Sequence, residues 1–242
     1  MSGIDNILRS IENENVAAST IREKSKLIFL KDGDQLFCTP VATGKDDDKL
    51  LDQYYMYAFP TNTSFTYVLA GMKGENGLIA DDRIDISNVP KVAKRQLKFA
   101  LWVYVHNILH TQKAQDYWKE IEGPLGKKMF EETVNDFRII SLPLGAGKAN
   151  FYSLAEIYND WGSLDKGIVR FKWNGEGLDT TYLITPPPKQ EEIPSERKSE
   201  IPSLPSIKDY LFEAYSVPPV TGNNSFSSNI EEDISSSNDD LF

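Results

Sequence analysis

Phe99, Leu101, Val103 and Val105 are all apolar, and they alternate with Lys98, Trp102, Tyr104 and His106. A repeat of two fits an extended chain, because successive side chains of a strand point to opposite faces. The stretch from Lys91 to Ile108 is the longest regular segment and is expected to be a strand with one apolar face. Its second face carries aromatic and basic side chains, with Lys94, Arg95 and Lys98 close by. Such a strip, if exposed, suits unpaired nucleic acid. Bases stack on flat rings for about 1–3 kcal/mol each, and cations follow the phosphates. The competing reading is a strand covered on both sides, with Trp102 and Tyr104 under a helix, since aromatics are more often core than ligand.

Other segments repeat the strand pattern. Leu27–Leu30 and Gln35–Val41 flank a turn at Lys31–Asp34. Residues 54–59 and 64–70 are rich in aromatic and β-branched residues and read as a hairpin around residues 60–63. Tyr55 and Tyr57 share one face there, and Tyr54 and Met56 the other. Residues 114–122 and 127–135 are expected to be helical, and Ile139–Leu142 a strand. Leu154, Ile157, Tyr158 and Trp161 fall on one stripe of an amphipathic helix. Residues 167–173 and 180–185 are expected to form two strands joined by a Gly-rich turn. Arg170 and Lys172 alternate with Val169, Phe171 and Trp173, which puts both cations on one face. Many short strands with few helices suggest a mainly β domain, a small barrel elaborated by helical and hairpin insertions.

The chain divides by composition into an arm (1–24), a domain (25–188), and a linker with an acidic tail (189–242). Residues 189–242 hold four basic and eleven acidic residues, a net of −7 within a total of −10. The low pI therefore describes the tail rather than the domain, and does not argue against a nucleic-acid partner. No Lys or Arg follows Lys208. Like charges cannot collapse into a core, so the tail is expected to stay disordered and solvated. It ends in Asp239, Asp240, Leu241 and Phe242, an apolar tip that suits a partner's pocket, with carboxylates steering it toward a basic rim. Arg22, Lys24 and Lys26 in the arm are candidates for contacts between neighbouring protomers.

Catalytic and metal signatures are weak. Cys38, His106 and His110 are the only Cys and His residues, too few for a zinc site of about four ligands. Asp46–Asp48 lack the Gly turn and distal Glu of a calcium loop. Gly145, Gly147 and Lys148 mimic part of a phosphate loop, but Leu142 and Ala149 stand where Gly and Ser or Thr are required. No cofactor, no metal and no enzyme activity is expected. The longest apolar run is far below the ~18 residues of a membrane span.

Three consecutive stretches carry a family resemblance: Tyr152 to Trp161, then Val169 to Trp173 with its alternating basic residues, then Asn174 to Tyr182 with a Gly-x-Gly-x-Asp-Thr-x-Tyr pattern. Together with the opening Leu27–Asp34 and the acidic tail, they resemble the bacteriophage single-stranded DNA-binding (helix-destabilising) proteins. The resemblance covers about residues 25–188 plus the tail. It implies an OB-fold barrel that coats single-stranded DNA during replication, recombination and repair, in the cytoplasm of a bacterial host. It also implies that the tail recruits polymerase, helicase or recombination proteins, and that it can lie in the empty DNA groove. Self-association on DNA is a further expectation. Several relatives hold zinc in the barrel insertion, and this chain lacks those ligands. The expected DNA contacts are Lys94, Arg95, Lys98, Trp102, Tyr104, Arg170, Lys172, Tyr55 and Tyr57. The alternative is an adaptor of the replication machinery that does not touch DNA.

Overall fold

The computed structural model describes residues 26–45, 48–60, 65–81, 84, 86–87, 89–123, 126–144, 149–175 and 181–215. Residues 4–11, where Ile4, Ile7, Leu8 and Ile11 fall at the spacing of a short helix, lie outside them, as do Arg22, Lys24, most of the Asp46–Asp48 run and the terminal Asp239, Asp240, Leu241 and Phe242. The protein is mainly β. Among the described residues nine strands form one antiparallel sheet: β1 (Gln35–Pro40), β2 (Leu51–Pro60), β3 (Phe65–Gly74), β4 (Gly77–Ile79), β5 (Lys94–His110), β6 (Lys119–Glu122), β7 (Lys128–Pro143), β8 (Val169–Asn174) and β9 (Thr181–Thr185). Helix α1 (Ala149–Trp161) lies between β7 and β8, and α2 (Ser195–Lys198) and α3 (Ile207–Tyr215) follow β9.

β5 is the organising strand. One edge pairs β7 from Lys98 to His110. Its other edge is shared by two strands: β2 along Lys94–Leu101 and β1 along Val103–Leu109. The handover falls at Trp102. Its N–H donates to the Leu50 carbonyl, and its own carbonyl accepts from the Val41 N–H. From β1 the sheet continues to β8 and β9, and from β2 to β3 and β4. The chain before β1 returns to the outer edge of β7, where Leu27 bridges Ile139.

The expected helices at 114–122 and 127–135 are not formed; those residues contribute β6 and the first half of β7. Local preference is overridden because β5 offers a long unpaired edge, and strand formation answers to pairing and burial more than to intrinsic preference. The strain of matching so long a partner is taken up by a bulge. The β5–β7 register shifts between Val105 and Asn107, and Asn135 beside it adopts φ 48°, a left-handed value that Asn tolerates.

Residues 189–215 depart from the linker reading. They fold back across the sheet as a strap. The Gln190 side chain accepts from the Ile168 N–H and donates to the Pro187 carbonyl. Arg197 pairs with Asp136 at 3.0 Å and lies over the Phe137 ring. Ile193, Ile207, Leu211 and Phe212 are buried. Composition misses this because four apolar residues spread through a polar stretch supply the burial that holds the strap. Ile207–Tyr215, which reads from the sequence as a short amphipathic helix, forms α3.

Candidate nucleic-acid interface

Register assigns each expected contact to a face. Directly paired residues point to the same side of a sheet. Lys98 opposes Tyr54, Lys94 opposes Ala58, and Ala58 opposes Tyr67. Lys94, Lys98 and Tyr67 therefore share one face with Trp102 and Tyr104. Arg95 opposes Tyr57, so Arg95, Tyr55 and Tyr57 lie on the other face.

Trp102 and Tyr104 are 2% and 1% exposed, which overturns their assignment as stacking platforms. The strap covers them. The Trp102 indole N–H donates to the Pro205 carbonyl at 2.9 Å, and the Tyr210 ring meets the indole edge-on. Tyr104 packs edge-on against Phe137 and His106. The alternative weighed from sequence, a helix over this face, is the observed arrangement.

Lys98 lies farther along the same face, at an open cleft of about 920 Å³. Five rings line it: Phe29, Tyr67, Trp173, Tyr182 and Tyr215. So do three cations, Lys31, Lys98 and Lys127, against one carboxylate, Asp32. That carboxylate accepts the Gly175 N–H at 2.6 Å and is thereby tied to the cleft wall. Phe29 is 69% and Tyr67 46% exposed, so both rings present free faces. Trp173 is mostly buried and meets Tyr182 edge-on at 4.7 Å. The Lys98 ammonium stands 4.7 Å from the centre of the Tyr67 ring. Burial lowers its pKa to about 8, because the charged form has lost water and no carboxylate among the described residues replaces it. Tyr215, the last described residue, also lines the cleft, and burial raises its pKa to about 12.

One wall of the cleft is held by a buried ionic node. Asp34 is 3% exposed. It accepts the backbone N–H groups of Lys31 and Thr111 and bonds His110 Nδ1 at 3.2 Å. Glu132 takes His110 Nε2 at 2.9 Å, and the imidazole stacks flat on Trp118. Burial alone would lower the His110 pKa, but its hydrogen bonds to Asp34 and Glu132 hold it up at about 9. The Asp34 carboxyl is held below its usual range despite burial, chiefly by His110. The two histidines, four residues apart, are thus separated in role: His106 bonds Thr39 at 2.9 Å inside the core, and His110 is an ion-pair partner.

The remaining expected contacts stand apart from the cleft. Arg170 and Lys172 point away from Trp173, whose side of β8 is buried. Arg170 donates to Thr185 Oγ1 at 3.0 Å. Lys26, expected to bridge protomers, instead pairs with Asp136 at 2.7 Å. Phe29, Lys31, Tyr67, Lys127, Trp173 and Tyr182 were not legible as one site, because they come from five separate segments of the chain.

Comparison with protein-family models gives no match, and comparison with curated proteins gives none either.

Proposed function

We propose that the protein binds single-stranded DNA without base specificity, through the cleft at Lys98. The observation that carries this reading is the mixture of linings: exposed rings that can stack on any base, interleaved with lysines that can neutralise phosphates. A groove built only of rings would suit an apolar ligand, and one built only of lysines would not discriminate unpaired strands from duplex. DNA contact is assigned to Lys94, Lys98, Lys31, Lys127, Tyr67 and Phe29, with Trp173 and Tyr182 as the wall.

The sheet fits an elaborated barrel of the oligonucleotide-binding kind. β1 pairs β5 on one edge and β8 on the other, and the chain before it reaches the far edge of β7. Tyr67 of β3 and Tyr182 of β9, from strands near the two ends of the strand order, line the same cleft. The tail follows Tyr215, which stands at the cleft, and its first carboxylate, Glu231, comes sixteen residues later. Tethering alone gives such an arm a high local concentration. Asp239, Asp240, Leu241 and Phe242 are assigned to replication or recombination partners such as a polymerase or helicase, and service in phage DNA replication follows from the family resemblance.

A titration with oligo-dT at rising salt tests the reading. Affinity should fall with salt at a log–log slope of about −0.7 per phosphate contacted. Tyr67→Ala should weaken binding about tenfold, the worth of one stacked base. No binding at low salt, together with retained binding of protein partners by the tail, would leave the adaptor reading in its place.

A further inference from the structure

We propose that the bound strand continues from the cleft around the tip of β5 onto the opposite face of the sheet, where Arg95 and Tyr55 form a second, preset contact. This rests on the cleft being the primary DNA site. The tip carries Lys91, Lys94 and Arg95, all exposed, and no carboxylate pairs with any of them among the described residues. Lys94 and Arg95 are neighbours in a strand, so they point to opposite faces. Lys94 faces the cleft side with Tyr67, and Arg95 faces the back with Tyr57 directly opposite. The Arg95 guanidinium carbon lies 4.9 Å from the centre of the half-buried Tyr55 ring. A guanidinium held on a ring keeps its outer face and N–H fork free, a geometry that stacks on a base or forks onto a phosphate. Among the described residues no carboxylate offsets the mutual repulsion of these three cations. A polyanion passing over the tip removes that cost and meets one cation on each side of the strand.

The inference predicts a length dependence. Oligo-dT of about 6 nucleotides should fill the cleft alone, and oligo-dT of about 16 should also reach the back face, within the span of about 4–16 nucleotides that such domains cover. Arg95→Ala should weaken the longer oligonucleotide about tenfold and the shorter one by less than about twofold. A Lys91→Ala, Arg95→Ala double variant should reduce the salt slope by about 1.4 for the longer strand only. Thermal melting of each variant confirms that it is folded. Equal losses on both lengths, or no loss on either, overturn the inference and leave the cleft intact. If the unsubstituted chain binds neither oligonucleotide, the cleft reading itself fails, and the inference falls with it.

Discussion

Trp102→Phe separates the structural role of this residue from the stacking role its sequence suggests. The indole N–H bond to Pro205 is lost, at about 1 kcal/mol for a neutral hydrogen bond. Truncating a buried Trp to Ala costs about 3–5 kcal/mol, and Phe keeps roughly half of that packing, so about 2 kcal/mol is lost from the ring. The sum is about 3 kcal/mol. Because Trp102 is where β5 passes from β2 to β1, the loss should also loosen the strap packed above it. In urea the midpoint should fall with the slope unchanged, and hydrogen exchange should rise first in residues 205–215. Binding of oligo-dT, measured where the variant is fully folded, should stay within about twofold of the parent, since the ring stacks on nothing outside the protein. A variant as stable as the parent but with binding lost would refute the burial argument and restore Trp102 to the interface.

Three other outcomes follow from the same geometry. Lys98 must be charged to hold a phosphate, so oligo-dT affinity should decline as pH rises through about 8, and Lys98→Arg should remove that decline, as read by anisotropy titrations at several pH values. His110 is held above its unfolded value, so its stabilisation is complete below about pH 6.5 and is lost as pH rises through about 9; chemical denaturation across that window should show the loss, and His110→Gln should flatten it. Leu211→Ala should cost about 2–5 kcal/mol and expose Trp102, seen as a red-shifted emission, whereas an unstructured linker would tolerate the change without effect.

Much of the sheet was legible because alternation is a local signal. The run around Phe99–Val105, the 54–70 hairpin, the β8–β9 pair and the apolar stripe of α1 each carry their pattern within a few residues. The first half of β7 was not legible, since Lys128 to Asn135 looks helical until the β5 edge claims it. Nor was the ordered path of residues 189–206, whose few apolar residues do not stand out from Pro, Ser and Glu. The site was half visible. Lys94 and Lys98 were in hand, but alternation cannot say which face is covered, and Trp102 was covered by residues about a hundred positions away. The rings that line the cleft meet only through the fold, so no window of sequence contains them.

The most direct test is photo-crosslinking with a halogenated single-stranded oligonucleotide, followed by peptide mapping. Adducts on peptides holding Tyr67, Trp173 or Tyr182, suppressed by salt and by competing oligo-dT, are the predicted result. Crosslinks that leave all of these rings untouched, or that form equally with duplex DNA, would contradict the account.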